Sequence, residues 1–351
     1  MLHYNFESFR HKHLLTASAL YDDLAIQLSE CQGKSYLFLD EIQEVEGWEK
    51  AINSLMVDFQ VEIFITGSNS RLLSSELSTY LAGRYVEFPV YTLSYGESRV
   101  FKKTWSQSPL PDPKEGFMDY LQLGGFPILH TADYTHETAY KLVYDIYSST
   151  VLRDTIQRFN IRNIELLERV IRYVFDNIGN PFSAKKVADY FKSQQRRVDL
   201  NTIYNYLHAL ESAFIVYRIP RYDIQGKEIL KTQEKFFLGD PSLLYAVAGF
   251  RDQKIGGLLE NIVALELMRR GYQVFIGKLK DLEIDFIATK RSEKRYFQVA
   301  YLLSSEETVE REFRPLLQIR DQYPKYVLSL DPTWQQSLEG VQHLHLADWL
   351  L

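Results

Sequence analysis

Two short apolar runs constrain this chain more than any other feature. "SYLFLD" (35–40) and "VEIFITGSNS" (61–70) both lack the apolar–polar alternation of a half-exposed strand, and both run out into polar residues. Runs of this kind read as strands buried on both faces, as in a parallel sheet. Between them "GWEKAINSLMVDF" reads as a helix with Trp48, Ile52, Leu55 and Met56 on one face. Upstream, "LYDDLAIQLSE" reads as another amphipathic helix after a short strand, "LHYNF". Strand–helix–strand alternation at this spacing predicts right-handed crossovers and a doubly wound sheet. "YVEFPVYTLSYGE" reads as extended and closes this α/β domain, residues 1–100.

The rhythm then changes. Residues 101–160 form a helical connection that begins in a loop, "FKKTWSQSPLPDPKE", where Pro111 and Pro113 stop any helix, and contains a Gly-Gly-Phe-Pro turn at 124–127. In 161–235, three short helices precede two strands, the order of a winged helix-turn-helix. The second of these helices takes Ser183 as its N-cap, and the third points Ile203, Tyr206, Leu207 and Leu210 inward. In 236–351 the order is helix, three strands, helix, strand, that of a restriction-endonuclease-like α/β domain.

Composition narrows the function classes. The formal net charge is -6, so any attraction to DNA must come from a local basic patch. The single cysteine, Cys31, cannot close an internal disulfide, which suits a reducing cytoplasm. No apolar run reaches the roughly 18 residues of a spanning helix, so no membrane partner is expected. The N-terminus lacks the apolar core of a signal peptide.

The chemistry concentrates at the ends of the two apolar runs. Asp40, at the end of a buried parallel strand, can hold Mg2+ through water, and Glu41 can orient or deprotonate the water that attacks a γ-phosphate. Two solvated carboxylates at a sheet edge are the plainer alternative. Ser68 and Asn69 fall at the carboxyl end of the neighbouring strand, where ligands of open α/β sheets bind. Arg84 can act as a finger on a nucleotide or form a structural salt bridge. "GKS" at Gly33-Lys34-Ser35 imitates a phosphate-binding loop, but the first glycine of Gly-x-x-x-x-Gly-Lys-Ser/Thr would fall on Leu28, and a strand rather than a helix follows Ser35. No other stretch fits the pattern.

These motifs, in this order, resemble a bacterial and archaeal family of AAA-domain ATPases with a C-terminal domain of unknown function. "YNFESFR" resembles that family's second strand, "YLFLDEIQEVEGWE" its Walker B and "ITGSNSRLLSSELSTYLAGRYVEFPVYTLSYGE" its sensor-1 strand and the stretch after it. "YLQLGGFP" and "RDTIQRFNIRN" resemble the connection to its C-terminal region, which typically holds a winged helix and a restriction-endonuclease-like fold. The resemblance implies Asp40 as the Mg-linked carboxylate, Glu41 as the catalytic one, Ser68 or Asn69 as sensor 1, and ATP with Mg2+ as cofactors. It also implies a P-loop ahead of the "YNFE" strand, about where this chain starts, so the expected nucleotide site is incomplete.

Two further sites are open to chemistry. A winged helix can lay 201–214 in a major groove, with Asn201, Thr202, Asn205 and His208 outward and Arg196, Arg197, Lys185, Lys186 and Lys192 toward phosphates. Use of the helices for packing or protein contact is the alternative. A nuclease of the C-terminal class needs an Asp, then Glu-x-Lys on the next strand. Asp285 fits the first position and Glu260 is an extra ligand, but the next strand reads Gln298-Val299-Ala300; Lys278 or Lys290 compensates only if the fold delivers it. The expected function is therefore an AAA-type ATPase coupled to DNA or a protein partner, with self-association open. A non-enzymatic DNA- or protein-binding module is the alternative, and an Mg-dependent nuclease the third reading.

Overall fold

The Thr16 side chain opens the first helix by accepting from the Ala19 amide at 3.4 Å, and Leu20, Leu24 and Leu28 then recur every fourth residue on one buried stripe. That stripe decides where the first sheet hides. The computed structural model describes residues 1–67, 81, 83–106, 108–195, 198–249, 255–332 and 337–351, without the side chains of residues 150, 151, 153, 154, 231 and 232. The chain divides into two compact units, Met1–Pro89 with Ser212–Phe214, and Val90–Glu211 with Ile215–Leu351.

The first unit carries β1 (Leu2–Asn5), α1 (Ala17–Ser29), β2 (Ser35–Asp40), α2 (Trp48–Asp58) and β3 (Val61–Ile65). The strands form one parallel sheet in the order β1-β2-β3, with Asn5 beside Asp40 and Leu39 beside Ile65. Leu37 and Leu39 pack with α1 and α2, whose Leu24, Trp48, Ile52 and Leu55 are buried. The opposite face differs from expectation. Burial alternates along β2, Tyr36 is 39% exposed and Phe64 48% exposed, and Phe38 stacks on Phe64 with centroids 4.8 Å apart. Among the described residues both helices cover the Leu37–Leu39 face, so only half of a double winding is present.

The segment after this sheet also departs from the sequence reading. Residues 85–92 hold no regular structure, and α3 (Tyr95–Trp105) begins where an extended run was expected. Its start is a capping box: the Ser94 hydroxyl accepts from the Glu97 amide at 3.1 Å, and the Glu97 carboxylate accepts from the Ser94 amide at 2.7 Å. Pro113, expected to stop a helix, instead occupies the first turn of α4 (Pro113–Leu123), where its missing N–H costs nothing and Asp112 caps. Helices α5 (His136–Ile146) and α6 (Arg153–Arg158) complete the connection.

The three expected helices follow as α7 (Ile164–Asp176), α8 (Ala184–Ser193) and α9 (Leu200–Ser212). Ser183 caps α8 by accepting from the Lys186 amide at 3.2 Å, and Ile203, Tyr206, Leu207 and Leu210 are buried. The hairpin of β4 (Val216–Asp223) and β5 (Glu228–Leu238) is not a free-standing wing. It forms one edge of an eight-stranded mixed sheet, where β4 runs parallel to β6 (Gln273–Leu279). After α10 (Ile255–Arg269) the sheet continues through β7 (Leu282–Lys290), β8 (Glu293–Val299) and β9 (Lys325–Ser329), with α11 (Glu306–Leu317) between the last two. β10 (Ser337–Leu338), β11 (Val341–His345) and a terminal turn, α12 (Leu346–Trp349), complete the chain, and the sheet order is β10-β11-β9-β8-β7-β6-β4-β5.

A buried polar seam fixes the Gly-Gly-Phe-Pro turn. Asp240 accepts from the Gly125 amide at 2.7 Å and from the amide and hydroxyl of Ser242 at 2.9 and 2.5 Å. Gly124 lies at φ +67°, and a Cβ there would fall 1.9 Å from the Asp240 carboxylate. Both glycines are therefore required by close approach.

Candidate functional site

In the first unit, three adjacent parallel strands end in polar side chains. Asn5 ends β1, Asp40 ends β2, and Thr66 follows β3. Asn5 Nδ2 donates to Asp40 Oδ2 at 2.8 Å, and the Thr66 hydroxyl donates to Asp40 Oδ1. The same hydroxyl accepts from the Glu41 amide at 3.3 Å, so one oxygen positions both carboxylate residues. Glu41 sits in the left-handed region at φ 55°, and Gln43 donates to its carboxylate. A non-glycine residue held there is backbone strain of the sort that collects at functional sites.

The donor set fits a metal bound through water. Among the described residues each Asp40 oxygen accepts one hydrogen bond, which leaves a lone pair for a water on Mg2+. Arg84 is exposed and donates to Asn53 Oδ1 at 3.2 Å, a structural contact within the unit. Ser68 and Asn69 lie outside the described residues, and the polar group seen against Asp40 is Thr66. The "GKS" stretch behaves as its sequence implies: Ser35 starts β2, and Lys34 Nζ is 2.5 Å from Glu62.

The second unit gathers a buried charge cluster. Lys235 Nζ, on β5, lies 3.0 Å from Glu260 Oε2 on α10 and 2.8 Å from Glu283 Oε1 on β7. Asp285 is buried beside them; its Oδ2 accepts from the Val299 amide at 2.8 Å, and its amide donates to Gln298 Oε1 at 3.3 Å. Burial pushes Asp285 and Glu260 above the ordinary carboxylate range, while Lys235 draws both down. Burial alone lowers an ammonium's pKa, but Glu260, Asp285 and Glu283 together raise that of Lys235.

Glu260, Asp285 and Gln298 lie near one another, and the lysine beside them is neither Lys278 nor Lys290. Lys290 donates to the Arg270 carbonyl at 2.6 Å, and Lys278 acts on Asp223. Lys235 was missed because it reads as one charge at the margin of "EKFFLGD"; a lysine set against three apolar strand residues is the available signal. An ammonium in this pocket supplies the positive charge a metal would bring. Among the described residues no group of three or more acidic, histidine or cysteine side chains is placed to hold a metal ion. Mg2+ does not fit this cluster.

On α9, Asn201, Asn205 and His208 are exposed and Thr202 half-buried; Lys185, Lys186 and Lys192 on α8 are exposed. Arg196 and Arg197 lie outside the described residues. No helix among the described residues is long and apolar enough to cross a membrane.

Residues 1–98 match the AAA domain family. Residues 114–254 match a domain of unknown function, DUF8612. The chain belongs to the same family as an uncharacterized protein of Haemophilus influenzae, to which it is 39% identical over 351 residues, all of this chain and 86% of that protein. It is also 32% identical over 289 residues to the uncharacterized protein MJ1544 of Methanocaldococcus jannaschii, covering 79% of this chain and 63% of that one. Among solved structures, the Walker-type ATPase PABY2304 of Pyrococcus abyssi aligns over 66% of each chain at 14% identity with a TM-score of 0.42.

Proposed function

We propose that the first unit is the metal- and water-handling half of an AAA-type ATP site. The observation that carries this reading is Asp40, held at the carboxyl end of a parallel sheet by Asn5 on one side and Thr66 on the other. ATP bound there would bring a γ-phosphate and its Mg2+. Asp40 would accept from a water of that ion, and Glu41, whose carboxylate accepts from Gln43, would orient the attacking water. Residues 1–351 contain no Gly-x-x-x-x-Gly-Lys-Ser/Thr, so the backbone cradle that supplies most phosphate affinity is not among them.

The test is calorimetric binding of ATP with and without Mg2+, followed by phosphate release. The reading expects weak, Mg-dependent binding, near millimolar by order of magnitude. It also expects turnover that falls roughly 100-fold in Glu41→Gln while binding survives. Sub-micromolar binding would overturn the half-site reading. Turnover indifferent to Glu41→Gln, or no Mg-dependent binding at all, would overturn the nucleotide reading.

A second reading, duplex contact through the second unit, is supported by the exposed Asn201, Asn205 and His208 on α9 and the exposed lysines of α8. A gel shift with duplex DNA that weakens with salt and disappears in Arg196→Ala with Arg197→Ala supports it; a shift unchanged in that variant rejects it.

A further inference from the structure

A cleft of about 1170 Å³ opens between the β4–β5 turn, the β6–β7 turn, Lys294 on β8 and the segment following α11. Lys227, Lys280, Lys294 and Arg320 line it. None of the four has a carboxylate within ion-pair distance among the described residues. The lining carboxylate, Asp321, is already engaged by the Tyr296 hydroxyl, the Tyr323 amide and, at 3.7 Å, Lys325. In a chain of net charge -6, this is a concentrated local excess of positive charge.

Two further features accompany the charge. Lys227 and Lys280 both sit in the left-handed region, at φ 53° and 56°, at turn positions where glycine or asparagine is the relaxed choice. The chain therefore holds lysine at strained positions in two turns that border one cleft. The cleft also carries aromatic faces. The Lys294 ammonium lies 5.6 Å from the Tyr222 ring centre and 5.7 Å from that of Tyr323, and the Tyr323 ring is 43% exposed.

Unpaired cations beside accessible rings are what hold single strands: the cations track phosphates, and the rings stack bases. A cleft of this volume, open at one side, admits an extended ligand. A duplex keeps its base faces inside its own stack, out of reach of Tyr222 and Tyr323. We propose that this cleft binds single-stranded nucleic acid, with phosphates on Lys227, Lys280 and Arg320 and a base stacked on Tyr323. The cleft shares no residue with the nucleotide site of the first unit or with the outward residues of α9.

The test is fluorescence anisotropy of the full chain with a labelled thymidine strand of about 12 nucleotides, within the site sizes of single-strand-binding domains. Unlabelled duplex and thymidine monophosphate serve as competitors. Micromolar binding that weakens as salt rises is expected, with both competitors at least about tenfold poorer. Lys227→Gly with Lys280→Gly removes two cations while relaxing the backbone, so the melting temperature should hold or rise as affinity falls about tenfold or more. Tyr323→Ala should cost about tenfold by loss of one stacked base. No binding, binding unchanged in the glycine variant, or equal competition by duplex would each overturn the proposal. So would binding lost only in Arg196→Ala with Arg197→Ala.

Discussion

Lys235 Nζ lies 3.0 Å from Glu260 Oε2, placing an ammonium where the sequence order of strands leads one to look for a metal. Lys235 is buried and Glu260 largely so, and Glu283 and Asp285 share the same cation. Removing one partner of such a group strands the others in a low-dielectric interior. Lys235→Met should therefore cost about 3–5 kcal/mol in urea unfolding, and adding Glu260→Gln should recover part of it. Glu260 and Asp285 already have folded pKa values raised by burial, and loss of the lysine raises them further. The folded state then holds protons that the unfolded state releases, so the deficit widens as pH climbs from about 4 toward neutrality. A deficit below about 1 kcal/mol, or one that shrinks with rising pH, rejects this account.

His130 is buried, with Nε2 2.9 Å from the Gly124 carbonyl, which assigns the proton to that nitrogen. Burial pushes its pKa down from 6.5 to about 4. The unfolded chain therefore binds the proton first, and stability present above pH 6.5 is lost as pH falls toward 4. A change of that size corresponds to about 3 kcal/mol by order of magnitude. His130→Gln should flatten the melting-temperature profile across this window. An unchanged slope would show that the acid sensitivity arises elsewhere.

The sequence makes most of this legible where one signal decides. The β2–α2–β3 run follows from its apolar periodicity, and the inward face of α9 from the spacing of Ile203, Tyr206, Leu207 and Leu210. Misreadings arise where two signals compete. Pro113 reads as a stop, because a proline's effect depends on whether it falls inside a helix or on its first turn. Tyr95–Trp105 reads as extended plus loop, because its aromatic and β-branched start outweighs the short capping box at Ser94 and Glu97. Lys235 and Thr66 are illegible for a different reason. Their roles depend on strands brought together by tertiary pairing, which spacing along the chain does not encode.

Gly124 and Gly125 carry a sharper expectation. A methyl group on Gly124 would meet the Asp240 carboxylate at 1.9 Å, and one on Gly125 would meet the Leu93 carbonyl at 2.1 Å. Asp240 is buried and accepts three hydrogen bonds, so it cannot move aside without stranding polar groups. Gly124→Ala also imposes a Cβ at positive φ. Each substitution should destabilise by roughly 3–5 kcal/mol, near the upper end for single changes. Gly256→Ala, where nothing lies within 4 Å of the added atom, is the control and should be near neutral or stabilising. Gly125 is not at positive φ, so a loss below about 1 kcal/mol in Gly125→Ala beside a large one in Gly124→Ala would show that backbone conformation, rather than close approach, sets the requirement.

The stacked rings of Phe38 and Phe64 lie on the sheet face that α1 and α2 leave uncovered. Phe64 is 48% exposed and Tyr36 39%, while Leu37 and Leu39 on the other face carry the core. Exposed aromatic patches of this kind bind hydrophobic dyes and promote association. Phe38→Ser with Phe64→Ser should lower dye fluorescence and raise the concentration at which the chain stays monodisperse. The stability cost should stay near 1 kcal/mol, because the pair contributes chiefly its own stacking. A loss of several kcal/mol would mean that the rings hold the sheet together, and undiminished dye binding would place the sticky surface elsewhere.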